Sequence, residues 1–222
     1  AANGVGQSAE VRPARSAPCR NAHPVRRVDR ETRVTRIDPI PPEAWPPQIR
    51  EALAELRPAA ARHPFPPRRD DRPKGLNVLG TLARHPALMT AYHTFNGQVQ
   101  FGTTLSLRQR ELLILRVAAV RDCAYEWAQH VVIAGDLGVS PEEIERVAVG
   151  PAAGWAPLDA ALLRSVDELI ADARIGDATW ATLSAELDDQ QLMDVIFTVG
   201  AYDTLAMFLR SVGVELDADL AD

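Results

Sequence analysis

The stretch "LSLRQRELLILRVAAVRDCAYEWAQHVVIAGDLG", residues 105–138, decides how the chain is read. Ser106 followed by Gln109 has the form of a capping box, in which a hydroxyl and an amide side chain satisfy two backbone N–H groups at a helix start. The spacing predicts a helix over "LRQRELLILRVAAV" and a second over "DCAYEWAQHVVIAGDLG", closed by its terminal glycine. In the first, Leu112, Leu113, Ile114 and Leu115 cover most of the circumference, so that helix should be buried on nearly all sides. Glu111 lies inside this run. A carboxylate there either faces a polar cavity or bears a large desolvation cost, which burial ordinarily answers with a raised pKa. In the second helix, residues three and four apart are neighbours. Cys123, Glu126, Trp127, His130 and Ala134 therefore share a face, which gathers a thiol, a carboxylate and an imidazole.

Upstream, "IDPIPPEAWPP" (37–47) is too proline-dense for regular structure and should lie extended as the first ordered element of the domain. "QIREALAEL" (48–56) reads as a short amphipathic helix stopped by Pro58, and "RHPFPPRRDDRPKG" (62–75) as a surface loop or lid. "NVLGTLAR" (77–84) and "PALMTAYHTFNGQVQF" (86–101) are two helices meeting at His85-Pro86, since proline is accepted in a first helical turn and not in an interior. Downstream, Ser140, Pro141 and Glu143 repeat the helix-start signal. Segments 157–173, 177–187 and 189–212 carry apolar residues at helical spacing, with Asp177 and Asp188 as caps. Neither a period-two strand pattern nor a fixed-length repeat competes. The expected fold is all-α, a single-domain bundle of eight or nine helices over residues 38–222, after a basic tail, residues 1–37, expected to be disordered.

Composition agrees with that class: apolar residues make up 46% and aromatics only 5% of the 222, which suits a helical protein better than a sandwich or barrel. The net charge of −6 is unevenly spread. Residues 1–37 hold eight arginines and three acids, leaving 16 basic and 27 acidic residues beyond them. So acidic a body excludes nucleic acid as the expected partner, because that recognition rests on neutralising phosphates. Lys74 is the single lysine among 24 basic residues, a bias that carries no functional weight. No run approaches 18 consecutive apolar residues, so no membrane partner is expected. The arginine-rich N-terminal stretch lacks the apolar segment of a secretory signal. Cys19 and Cys123 lie in unlike contexts and do not form a disulfide framework, which fits a reducing, cytoplasmic compartment.

Two carboxylates and a histidine on consecutive helices form a proton-handling group, because burial raises a carboxyl, a neighbouring carboxylate raises an imidazole, and general acid–base work needs both poised near neutrality. The segment 105–138 resembles the core motif of the alkylhydroperoxidase D and carboxymuconolactone decarboxylase superfamily. In the peroxidase branch that motif is a Glu, a Cys twelve residues on, a second Cys three further and a His four further. Glu111, Cys123, Glu126 and His130 fall at that spacing, with Glu126 standing where the hydroperoxide-attacking cysteine would be. The dithiol cycle cannot run on Cys123 alone. The "YEW" context of Tyr125, Glu126 and Trp127 is similar instead to the decarboxylase-like branch, and weaker likeness extends over most of residues 77–216.

The resemblance implies an alkylhydroperoxidase D-like helical bundle, a homo-oligomer (trimer, hexamer or dimer), and a carbon–carbon lyase working without a cofactor on a small lactone, carbonyl or carboxylic acid, by decarboxylation or isomerisation. Glu111, Glu126 and His130 are the expected catalytic residues. His130 would move the proton, Glu126 would polarise or exchange with it, and Glu111 would orient the imidazole, unless Glu111 is a structural partner of Arg116 or Arg121. Either arginine could also hold a substrate carboxylate. Cys123 reads as a small buried hydrophobe, or alternatively as the single thiol of a hydroperoxide-reducing protein. A helical oligomer that binds a small molecule without catalysis is the third reading. Tyr125, Tyr92 and His93 are candidates for substrate binding, with Phe95, Tyr202 and Asp203 as further pocket candidates. No metal is expected, because no second histidine with ligand spacing accompanies the group.

Overall fold

The computed structural model describes residues 35–65 and 73–220; most of the basic tail and the centre of the 62–75 loop lie outside the described residues. The described residues form nine α-helices and no strand: α1 (Ile49–Ala54), α2 (Leu76–Leu82), α3 (Pro86–Gly97), α4 (Leu107–Val120), α5 (Ala124–Asp136), α6 (Pro141–Val149), α7 (Pro157–Asp172), α8 (Asp177–Ser184) and α9 (Asp189–Val212). Three of the starts are capping boxes, at Ser106, Ser140 and Asp188, each closed in both directions. Asp177 is not a cap. It occupies the first helical position and Gly176 precedes it as cap, with the Gly176 N–H donating to Glu168 at 2.8 Å. His85 caps α3 by accepting from the Leu88 N–H at 3.2 Å, with Pro86 in the first turn. The proline-dense 37–47 stretch contains one short 3-10 turn, Pro42–Ala44.

The most apolar helix becomes the hub. α4 packs against α5, α6, α7 and α9, and Leu112 through Leu115 are fully buried. One side of α4 joins α7, α8 and α9 through Leu113, Ile114, Val117, Leu162, Val166, Leu183, Val195 and Val199. Its other side meets α5, α6 and α7 through Leu112, Leu115, Ala134, Val147 and Leu163. At about 25 cal/mol per Å² of apolar area withdrawn from water, such burial makes α4 the element whose loss the fold could least survive. α9 is 24 residues long with a mean hydropathy of 1.5 in its most apolar window, enough by length and composition to cross a bilayer. Its Leu192, Val195, Val199, Tyr202 and Leu209 are instead core residues.

Two local departures from regular helix and one close helix–helix approach position the site. After α4 the chain turns back through Asp122, whose φ of 50° is left-handed, a conformation Asp tolerates better than most residues. Cys123 therefore caps α5 and is not inside it. After α3, where a continuous helix was expected to 101, the chain makes a wider π-helical turn, Gln98–Gly102. Just before it, Gly97 lets α3 meet the end of α1: a Cβ there would lie 2.8 Å from the Glu55 carbonyl oxygen.

Candidate active site

The turn at Asp122 folds α5 back along α4 and brings His130 to Glu111. The His130 Nδ1 lies 2.7 Å from Glu111 Oε2. The other oxygen, Oε1, accepts from Arg110 Nε at 2.9 Å and from Arg110 Nη2 at 2.6 Å. Arg110 is held in turn by the Gln100 carbonyl of the π-helical turn, which accepts from Nη1. Glu111 is fully buried. Burial pushes its carboxyl up, but His130 and then Arg110 outweigh burial and hold it below the usual carboxylate range. An ionised carboxylate can only accept, so the proton of this contact resides on His130 Nδ1, which leaves Nε2 as the imidazole's other nitrogen.

Glu126, one turn before His130, is in the opposite condition. It is 1% exposed. Neither of its oxygens has a nitrogen or oxygen donor within hydrogen-bonding distance among the described residues. Burial, reinforced by the charge of Asp203, pushes its carboxyl well above the ordinary value, and the adjacent Cys123 thiol offsets little of this. Glu126 is accordingly a neutral acid over a pH range in which Glu111 is an anion.

His130 and Glu126 line one cavity of about 360 Å³, near the lower end of the ~300–1,000 Å³ of small-molecule sites. Val78, Leu79, Leu82, Ile133, Leu205 and Leu209 supply its apolar wall, and the exposed Lys74 stands at its rim. Tyr92, His93, Asn96, Tyr125, Gln129 and Tyr202 face it as well. The hydroxyls of Tyr92 and Tyr202 and the Asn96 Oδ1 are buried with no hydrogen-bond partner in the described residues. Leaving such a group unsatisfied costs about 1–3 kcal/mol, so several of them around one cavity mark a place where water or a ligand completes them. Burial, helped by Glu126, raises Tyr92, and burial with Tyr92 and Glu111 raises Tyr202, so both remain O–H donors. The Tyr202 ring stands edge-on to His130, 5.0 Å between centroids.

The chain outside residues 105–138 matches known proteins too. Residues 86–165 match the carboxymuconolactone decarboxylase family. An uncharacterized peroxidase-related protein with an alkylhydroperoxidase AhpD core, from Ralstonia eutropha JMP134, superposes with a TM-score of 0.66 at 19% identity, over 90% of this chain and 96% of that one. The family match is thus confined to residues 86–165, and the likeness to solved structures shows an AhpD-like fold. The debrominase Bmp8 in its apo form shares the fold at a TM-score of 0.66 and 12% identity, over 84% and 94% of the two chains. A peroxidase-related protein from Silicibacter sp. TM1040 does so at 0.60 and 18%, over 65% and 78%. No curated protein matches the sequence.

Within this fold the sequence candidates separate. Glu111, Glu126 and His130 come together, but Glu111 stands behind His130 and does not line the cavity. The expectation that burial would raise Glu111 is overturned, because Arg110 and His130 outweigh it; Glu126 is the raised carboxyl. Neither Arg116 nor Arg121 is the partner of Glu111 or a substrate clamp. Arg116 pairs with Asp167 at 2.6 Å and Arg121 with Asp203, the latter removing Asp203 from the pocket candidates. Tyr92 and His93 line the cavity as expected, and His93 donates from Nδ1 to the Ala52 carbonyl at 2.9 Å. Burial pushes His93 below the usual imidazole value against that contact. Tyr125 also lines the cavity, but its hydroxyl donates to Asp217 at 2.9 Å and is structural. Phe95 does not line it; the ring is 40% exposed and sits edge-on to Phe197. Cys123 is 2% exposed, packs with Ala206 and Leu209, and borders a separate hollow of about 250 Å³ with Ala124 and Trp127.

Arg110, Asn96, Gln100 and Asp217 carried no sequence signal. Asp217 is the farthest from the motif. It accepts from Tyr125, from Gln129 Nε2 at 2.9 Å and from the Asn77 N–H at 2.8 Å. Asp217 thereby ties the segment after α9 to α2 and α5 at the edge of the cavity.

Proposed function

We propose that this protein is a cofactor-free enzyme of the decarboxylase-like branch, moving a proton on a small lactone, carbonyl or carboxylic acid. The observation that supports it is the opposed pair facing one cavity: His130, with Nδ1 committed to an ionised Glu111, and Glu126, held neutral. The two carboxyls are driven in opposite directions, which separates the one that can give a proton from the one that only accepts. His130 Nε2 is the base, Glu126 the acid and Glu111 the positioning residue that fixes the imidazole tautomer. Removing a proton from carbon beside a carbonyl, or losing carbon dioxide from that position, leaves charge on the carbonyl oxygen. An acid already positioned at the cavity stabilises it without reorganisation.

The test is solvent-deuterium incorporation into a panel of small cyclic ketones, lactones and lactone acids, followed by NMR, together with product analysis for decarboxylation. Deuterium at carbon or loss of carbon dioxide is expected with the native chain, and its disappearance in His130→Gln. Hydroperoxide turnover that vanishes in Cys123→Ser and survives in Glu126→Gln would decide for the thiol reading instead. Binding without turnover, unaffected in any of the three site variants, would leave a non-catalytic binding protein.

A further inference from the structure

We propose that Tyr92, Tyr202 and Glu126 form a neutral donor cradle for the oxygen of an uncharged cyclic carbonyl compound, which makes isomerisation by enolisation, and not decarboxylation, the reaction of this site. This rests on the proton-transfer reading and narrows its substrate class. All three side chains line the same cavity, and each ends in a buried oxygen without a nitrogen or oxygen partner in the described residues. They come from three separate elements, α3, α5 and α9, so their convergence is a product of the fold and not of one helix face. A phenol and a carboxylic acid each present one O–H, and a carbonyl oxygen is the acceptor that such donors share. The buried edge-on ring of Tyr202 places its side chain beside His130, the group that takes the proton from carbon.

The charge around the cavity argues against a carboxylate ligand. Arg110 is committed to Glu111, Arg116 to Asp167 and Arg121 to Asp203. Among the described lining residues the only permanent cation is Lys74, exposed at the rim. Glu111 and Asp203 already occupy Arg110 and Arg121, so among the described lining residues no cation is left at the buried end for a carboxylate, whereas a neutral carbonyl meets O–H donors there. The reaction then balances within the site. The C–H bond next to the carbonyl breaks and its proton passes to His130 Nε2. Its electron pair moves through the new C=C bond onto oxygen, and Glu126 delivers its proton there to give a neutral enol. In a β,γ-unsaturated substrate this enol is a dienol, so return of the enol O–H proton to Glu126 pushes the electron pair through both C=C bonds to the γ-carbon, which takes the proton from the imidazolium; the conjugated isomer forms and both groups are restored.

The experiment uses the native chain with two probes of like size, cyclohexenone labelled isotopically at its carbonyl and benzoate. Calorimetry is expected to show the enone bound and benzoate weaker by at least about tenfold. Difference infrared spectra are expected to show the labelled carbonyl stretch moved to lower frequency on binding, with the shift reduced in Tyr92→Phe and Tyr202→Phe. Both variants are expected to melt no lower than the native chain, since each removes a hydroxyl that has no partner in the described residues; a purely structural hydroxyl would lower the melting temperature and leave the stretch alone. Equal or tighter binding of benzoate, no binding of the enone, or a stretch indifferent to both substitutions overturns the cradle. Deuterium incorporation separates the two levels. A shifted stretch without exchange at carbon keeps the cradle and sinks proton transfer, while exchange with an indifferent stretch sinks the cradle alone.

Discussion

The two sides of His130 are built on opposite terms. On the α4 side, Glu111 is 0% exposed and every oxygen is engaged, one by His130 and the other by a doubly bonded Arg110. On the cavity side, Glu126 is 1% exposed and its oxygens have no nitrogen or oxygen donor among the described residues. Equal burial thus yields an anion in one place and a neutral acid in the other. Burial alone does not set the charge of a buried carboxyl; what matters is whether the donors that face it carry positive charge and reach it. The sealed side gives rigidity and a defined tautomer, and the open side leaves hydrogen-bonding capacity for a ligand.

The strongest way to break this contrast is Glu111→Ala. It leaves Arg110 as a buried charge whose carboxylate is gone and is expected to destabilise the chain by about 3–5 kcal/mol, read by urea unfolding. Should the loss stay below about 1 kcal/mol, the sealed side is not the rigid element described here. His130→Gln keeps the fold and is expected to lower proton exchange by about 10²–10⁴-fold, the usual worth of a general base. Glu126→Gln tests the open side by pH. The folded-state pKa of Glu126 is raised, so its contribution is intact at acid pH and is lost as pH rises from the ordinary carboxyl value through the raised one. The variant should therefore gain stability relative to the native chain on the alkaline side and lose about 10²-fold in exchange rate. Glu111 has the opposite sign: its lowered pKa supplies stability above the ordinary carboxyl value, lost as pH falls through the lowered one. Equal pH slopes in Glu111→Gln and Glu126→Gln would contradict the assignment.

Two smaller effects sharpen the comparison. Asp217→Ala removes the acceptor shared by Tyr125, Gln129 and the Asn77 N–H, and is expected to cost about 1–3 kcal/mol in thermal or urea unfolding, with a smaller change in turnover. Thr198 has a buried hydroxyl without a partner in the described residues, but it does not line the cavity. Thr198→Val should be neutral or stabilising, within about 1 kcal/mol, and should leave ligand binding unchanged. A binding defect there would mean that unpaired hydroxyls do not mark the ligand site in this fold.

Much of the helical frame was legible because helix starts are local. Ser106, Ser140 and Asp188 each need only a partner three residues on, and all three formed. Asp177 failed as a cap because the Gly176 N–H and the Thr179 hydroxyl find Glu168, eight and eleven residues earlier, on α7. Arg110 was invisible for a different reason. Adjacent residues on a helix do not face one another, so an Arg110–Glu111 pair is not expected from spacing. It forms because the π-helical turn at Gln98–Gly102 holds the guanidinium from the far side.

By itself the sequence determined the helical class, the hub helix, and the placing of Glu111, Glu126 and His130 within reach of one another, since caps, apolar spacing and the turn between two consecutive helices all act over a few residues. It also put a carboxylate where the related redox motif has its attacking sulfur. Only the tertiary structure decided which carboxyl is charged, which tyrosine hydroxyls are left unpaired, and that Cys123 stays outside the cavity lining. Those properties depend on desolvation and on partners from α3, α9 and the segment after it, dozens of residues away, and no local pattern encodes such neighbours.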